Sequence, residues 1–282
     1  MSITSSVELA TIYGDDEPPP SLARYVRELW SRRRLLSYLT RTRLKAQHYD
    51  TTFGKAWLVL GPLMMAGVYM LVRTVMQPPG TEAHARLVIA HIVMGVFIFQ
   101  YVASGITSGA TSVLANSRML LNTPVPCGVF PTTSLMTGVV TLMPTLVVLL
   151  VVRAFLRQPF GIHLLAVPVI LLLLTGFVYG ASLAMAALTV YFRDTTNFLT
   201  YLTRLWLFVT PVIYTVQEIP PHLRHVLAFN PLFPYYAALD DALSADWPSK
   251  RYLAWAAAWA VAALVVGLAG FLAKERDFAV RL

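Results

Sequence analysis

The chain has 282 residues, 57% of them apolar and 13% charged, with 22 Lys and Arg against 14 Asp and Glu. Soluble domains average about 25% charged and about 45–50% apolar residues, so this composition argues against a soluble enzyme, and the same hydrophobicity excludes disorder. The net charge of +8 suits either nucleic acid or anionic lipid, and the positions of the charges must decide between them.

Residues 1–20 are polar, close on Asp15-Asp16-Glu17-Pro18-Pro19-Pro20, and read as a flexible cytoplasmic tail rather than a signal peptide. Residues 21–55 form an amphipathic interfacial segment. Leu22, Tyr25, Val26, Leu29 and Trp30 recur at helical spacing, and eight Arg and Lys between Arg24 and Lys45 make the stretch too charged to span a bilayer. Residues 56–282 then read as one membrane domain. A spanning helix needs about 20 apolar residues, and six runs qualify: 57–76, 87–115, 132–152, 164–192, 198–216 and 252–273. Pro62, Pro144, Pro168 and Pro211 lie in or near the starts of spans, where bilayer helices tolerate kinks.

Segment 217–249 mixes Glu218, Pro220, Asp240 and Asp241 with apolar patches such as Phe229, Leu232 and Tyr236, which suits short re-entrant helices at the outer interface. The predicted fold is therefore all-α, with six transmembrane helices, an N-terminal amphipathic helix and short outer helices between spans five and six. Under this topology fourteen Lys and Arg fall on the side of the termini and seven on the other. The positive-inside rule puts both termini in the cytoplasm. The basic N-terminal stretch then faces anionic headgroups, and no nucleic-acid role is expected.

The six runs contain no Asp or Glu. Ion-coupled transporters use intramembrane carboxylates and Mg²⁺-dependent membrane enzymes use interfacial ones, so neither a coupling ion nor a catalyst is expected. The pairs Asp15-Asp16 and Asp240-Asp241 read as solvated turns. There is no GxxxxGK[ST] phosphate loop, so ATP-driven work needs a separate ATPase chain. Cys127 is the only cysteine, and no His/Cys cluster has metal-ligand spacing; His84 in the outer loop reads as interfacial and His91 as hydrogen-bonded. Trp57, Tyr101, Trp247, Tyr252 and Trp255 suit interfacial belts. Phe97, Phe99, Tyr201, Trp206, Phe208 and Tyr214 lie deeper and suit either helix packing or stacking on sugar rings. Tyr191-Phe192-Arg193-Asp194 either caps a helix or docks a partner.

Four patches in order carry a resemblance. Arg41-Thr42-Arg43-Leu44-Lys45-Ala46-Gln47-His48-Tyr49 precedes Gly54-Lys55-Ala56-Trp57 and Pro62; Asn116 to Pro131 holds Pro124, Pro126 and Pro131; then come Phe192-Arg193-Asp194 and Asn230-Pro231. Together they resemble ABC-2 type permeases that export polysaccharides, with departures at His48-Tyr49, where Arg-Tyr is usual, and at Cys127-Gly128. The resemblance implies a homodimer with two copies of a cytoplasmic ATPase that binds ATP and Mg, no cofactor on this chain, and a bacterial inner-membrane location. The implied cargo is a lipid-linked polysaccharide; an Arg-rich, Lys-poor composition leans toward an actinobacterial, galactan-type cell-wall glycan. Arg41, Arg43, Lys45, His48 and Tyr49 would form a gate for the lipid headgroup. Asn116, Arg118, Pro124, Pro126, Arg193 and Asp194 would meet the ATPase, and the six deeper aromatics would line the glycan channel. The alternatives are an ABC-2 permease for a drug or small lipid, or an integral-membrane glycan-modifying enzyme.

Overall fold

The computed structural model describes residues 22–47, 52–76, 82–123, 125–158, 160–220, 222–223, 227, 229–244 and 246–281. Two amphipathic helices come first, α1 (Leu22–Ser31) and α2 (Arg33–Ala46). Leu36 packs against Val125 and Val129, with Leu29, Leu35, Leu39 and Met136 around them, while most of the arginines stay exposed. Then follow α3 (Trp57–Met76), α4 (Glu82–Ala115), the short α5 (Ser117–Asn122), α6 (Val129–Phe155), α7 (Ala166–Tyr191), α8 (Thr195–Val209), α9 (Phe233–Leu243) and α10 (Lys250–Arg281). Among the described residues there is no strand.

Five helical stretches are long and apolar enough to cross a membrane: Gly54–Val75, Leu87–Ala115, Val129–Phe155, Ile162–Tyr191 and Lys250–Phe278. They coincide with five of the six expected spans. The run 198–216 behaves differently. Its helix α8 has 15 residues, about 22 Å of length against a hydrocarbon core of about 30 Å. Thr210 turns extended, with ψ 138°, as a residue before proline prefers, and the chain leaves the helix at Pro211. His84 falls within α4 rather than in a loop, and its side chain lies outside the described residues.

α4 is the central helix, and every side chain from His91 to Phe99 is buried. It packs between α7 and α6, and α7 in turn packs along α10 in the most extensive helix pair of the fold. Gly180 and Gly267 make that approach close. A Cβ on Gly267 would stand 2.0 Å from the Gly180 carbonyl oxygen, and one on Gly180 would stand 2.2 Å from the Ala263 carbonyl carbon. Small residues are what permit such backbone contact between helices in lipid, where no hydrophobic force drives them together.

The bundle has two distinct ends. At one, the Tyr25 hydroxyl donates to the Glu275 carboxylate (3.2 Å), so α1 and the last turns of α10 meet there. At the opposite end, α9 is bolted to the surrounding helices by buried polar bonds. Tyr236 donates to the Gly95 carbonyl (2.7 Å), Tyr235 to the Ala256 carbonyl (2.8 Å), and the Arg153 guanidinium to the Leu243 carbonyl (2.9 Å). Asn230 explains its Asn-Pro pair. Its Oδ1 accepts from Trp206 Nε1 (2.8 Å) and from the Leu232 amide (3.0 Å), and its Nδ2 donates to the Val209 carbonyl (3.2 Å), locking the end of α8 to the start of α9.

Two expectations need correction. Asp240-Asp241 is not a solvated turn: both residues sit in α9, and Asp240 is buried against His91 and the Val216 amide (3.0 Å) because its helix face points into the bundle. Tyr101 is not interfacial; it is buried in mid-helix and donates to Thr175 Oγ1 (3.0 Å).

Candidate functional site

Although α4 is the most enclosed long helix, one of its faces is open and polar. Gln100, Ser104 and Ser108 are exposed and Thr107 and Thr111 half-buried, all at three- or four-residue spacing and therefore on one stripe. The hydroxyl protons are already used within the helix: Thr107 donates to the Ala103 carbonyl (2.7 Å), Thr111 to the Thr107 carbonyl (3.1 Å), and Ser104 to the Tyr101 carbonyl (3.2 Å). What the stripe presents outward is hydroxyl lone pairs, weak acceptors spaced along the helix. Ser and Thr are enriched where membrane helices meet, so the stripe suits a packing partner or a polar path.

Two cavities open onto the stripe and share Gln100, Ser104 and Met65. The first, about 500 Å³, lies toward α3 and α6 and is lined by Trp57, Phe97, Thr141 and Thr145. The second, about 640 Å³, lies toward α8 and is lined by Tyr69, Phe99, Thr200, Thr203, Arg204 and Phe208. Arg204 is exposed halfway along α8, with its guanidinium 6.0 Å from the centre of the Tyr201 ring. An arginine within a membrane-embedded bundle faces a polar space or a partner.

The six aromatics singled out for the channel therefore divide. Phe97 and Phe99 are buried at the cavity walls, and Phe208 lines the second cavity from an exposed position. Tyr201 is exposed beside Arg204. Trp206 turns inward, edge-on to Phe177 and bonded to Asn230. Tyr214 packs in the cluster of Val216, Ile219 and Phe233 at the opposite end.

The basic residues divide as well. Arg41 is exposed on the wall of a third cavity of about 770 Å³ between α1, α2 and α6, with Trp30, Arg33, Arg34, Tyr38 and Met136. Lys45 is exposed. Arg43 points the other way and donates to Ser134 Oγ, whose single proton is shared between the Phe130 (3.2 Å) and Ser108 (3.3 Å) carbonyls, so α2 is tied to α6 where α6 meets α4; burial lowers the pKa of its guanidinium. His48 and Tyr49 lie outside the described residues.

At the same end, Asn116 is the N-cap of α5 and donates to the Ser112 carbonyl (2.6 Å). Arg118, Arg193 and Asp194 are exposed and Pro126 is buried; Pro124 lies outside the described residues. Asp194 occupies the N-cap position of α8 but makes no side-chain capping bond.

The opposite end holds two charge clusters. Arg73 at the end of α3 grips Glu218 with both guanidinium nitrogens, one bond measuring 2.8 Å, and also donates to the Ile213 carbonyl (3.2 Å). Burial alone would raise the Glu218 carboxyl, but the Arg73 bonds and the Thr215 amide (2.9 Å) outweigh it and hold its pKa at about 2. His91 bridges the Pro211 carbonyl (3.0 Å) and the Asp240 carboxylate through its two ring nitrogens. No group of three or more His, Cys, Asp or Glu capable of holding a metal occurs among the described residues.

The α4 stripe was missed in the sequence. Its signal is Gln100, Ser104, Thr107, Ser108 and Thr111 interrupting an otherwise apolar run at a helical period.

Residues 34–243 match the model of a family described as ABC-2 type transporter. The chain is 26% identical over 199 residues to an O-antigen export system permease protein RfbA of Klebsiella pneumoniae, covering 70% of this chain and 75% of that protein. It is 27% identical over 213 residues to the protein of the same description from Myxococcus xanthus, covering 75% and 80%. A second Klebsiella pneumoniae protein so described is 27% identical over 255 residues, covering 87% and 93%.

Proposed function

The chain belongs to the ABC-2 type transporter family, and from that premise we propose that it is the membrane permease subunit of an ATP-driven exporter of lipid-linked polysaccharide, of the galactan type. The observation that carries this reading is the open polar stripe of α4 with its aromatic-walled cavities. Hydroxyl acceptors that bind weakly and repeatedly suit a glycan that must slide, and the exposed ring of Phe208 offers a face for sugar rings. The O-antigen export relatives support the same cargo class.

The stripe lies open on this single chain, so a second copy completes the channel in our reading, and two copies of a cytoplasmic ATPase bind ATP and Mg and drive it. Charge distribution supports a bacterial inner-membrane topology with both termini in the cytoplasm. The meeting of Tyr25 with Glu275 supports an even number of crossings, with α8 serving as a short fifth one. The α1–α2 pair lies along the interface as a gate. Arg41, Arg33 and Arg34 suit a phosphate headgroup, since arginine donates to phosphate in pairs, and Trp30 and Tyr38 suit the lipid beside it. Exposed Arg118, Arg193 and Asp194 meet the ATPase.

The test is depletion of the chain followed by extraction of membrane lipids. Accumulation of a lipid-linked glycan inside the cell is the expected result. Normal surface glycan with no such accumulation would refute the reading.

A further inference from the structure

At the end of the bundle where α1 meets α10, one carboxylate joins three segments that the chain keeps far apart. Glu275 Oε1, in the last turns of α10, accepts from the Cys127 amide (2.6 Å) and from the Tyr25 hydroxyl (3.2 Å). The Tyr25 oxygen in turn accepts from the Gly128 amide (3.1 Å). Cys127 and Gly128 lead directly into α6, whose N-cap is Gly128. The next two amides are satisfied locally, Val129 by the Pro126 carbonyl (3.0 Å) and Phe130 by the Cys127 carbonyl (3.2 Å). Those of Cys127, just before the helix, and Gly128, its N-cap, are instead taken up by residues 148 and 103 positions away in the sequence. A negative group at that place is also favoured by the positive end of the 27-residue helix.

The fit leaves no slack. Tyr25 is 3% exposed, and a Cβ on Gly128 would stand 2.1 Å from its hydroxyl oxygen. A side chain at position 128 would therefore displace Tyr25, and with it the hydroxyl that bonds Glu275. Yet nothing in helix packing demands a carboxylate here, since α6 could cap itself with its own Ser or Asp as helices commonly do.

We infer that Glu275, with Tyr25 as its relay, is a positioning residue that ties the loop before α6 to the gate helix α1, so that force applied to the loop moves the gate. The inference rests on the reading that a partner ATPase bears on residues 116–131. The junction puts the gate on the same lever: displacement of the Cys127–Gly128 turn pulls the Tyr25 hydroxyl, and α1 follows as a rigid helix of 10 residues.

The experiment uses the full chain with its ATPase. ATP hydrolysis is measured on the purified complex and surface glycan on cells depleted of the wild-type chain. Tyr25→Phe and Glu275→Ala are expected to keep assembly and hold ATP hydrolysis within about twofold, while surface glycan falls by about fivefold or more, the range of ordinary coupling energies. Glu275→Gln, whose carbonyl still accepts from Cys127 and Tyr25, restores export. Proportional loss of hydrolysis and export would mean a structural role only, and unchanged export in both variants would equally overturn the inference. If Glu275→Ala fails to assemble, the decision falls to Tyr25→Phe, which keeps ring and volume. Absence of any ATPase from the wild-type complex would refute the exporter reading itself, and the inference with it.

Discussion

Replacing Gly180 by alanine adds one methyl group where α7 and α10 touch backbone to backbone. The new carbon would lie 2.2 Å from the Ala263 carbonyl carbon, 2.3 Å from its oxygen and 2.4 Å from the Leu264 nitrogen. Ordinary carbon contacts begin near 3.5 Å, so the helices must separate by roughly 1 Å along their longest contact. Alanine gains about 1 kcal/mol over glycine in a helix interior, while overpacking costs about 1–3 kcal/mol. The cost prevails here because the obstructing atoms are backbone, which has no rotamer to change. A net loss of up to about 2 kcal/mol is expected, and each kcal/mol lowers Tm by about 2–4 °C in a chain of this size. Gly267→Ala, with its Cβ 2.0 Å from the Gly180 oxygen, should behave alike. The double variant should lose less than the sum, since both methyls push the same pair apart. Gly270→Ala is the control on the same helix: nothing stands within 4 Å of its Cβ, so it should melt at or slightly above wild type. Melting is followed by intrinsic fluorescence of the detergent-solubilised protein. Equal Tm for Gly180→Ala, Gly267→Ala and Gly270→Ala would refute the close crossing.

Asp240→Leu leaves both His91 and the Val216 amide without their acceptor in a buried site, and should cost about 3–5 kcal/mol in the same melting assay; a Tm near wild type would argue against the pairing. The Arg73–Glu218 pair makes stability pH-dependent at the opposite end. With the folded carboxyl held at about 2 against an ordinary value of 4.5, its contribution is fully present above pH 4.5 and is lost as pH falls through about 2. Tm measured from pH 7 to pH 3 should decline less steeply in Arg73→Met, and parallel curves would count against the pair. Arg41→Ala should reduce surface glycan with assembly intact, because the residue is exposed on the wall of the cavity proposed to take the lipid headgroup. Arg43→Ala should instead lower Tm by breaking the link to Ser134, at about 1–3 kcal/mol. Gln100→Leu on the open stripe should leave stability within about 0.5 kcal/mol of wild type while reducing surface glycan; unaffected export would remove the stripe from the proposed cargo path.

Much of the architecture could be read without coordinates. Hydrophobic length is a local property of the chain, so five of the spans follow from the order of residues alone. So does the crowding of Lys and Arg before the first span, because charge position needs no partner to be meaningful. The Asn230-Pro231 pair could be recognised but not explained; its bonds to Trp206 and Val209 exist only once α8 and α9 meet.

What the tertiary structure alone decided concerns exposure and pairing. An apolar run of 19 residues at 198–216 has the composition of a span, yet its helix stops at Val209 before Pro211, and only the fold shows residues beyond it drawn into bonds with His91, Arg73 and Asp240. Asp240 looks like a turn residue until its partner, 149 positions away, is seen. Gln100, Ser104 and Thr107 look like tolerated polar residues in a buried helix until that face proves open. Nothing local marks Glu275, which the fold shows bonded to both the start of α6 and α1. In each case the residue's role is set by neighbours that the chain brings together only by folding, and a local pattern carries no information about which neighbours those are.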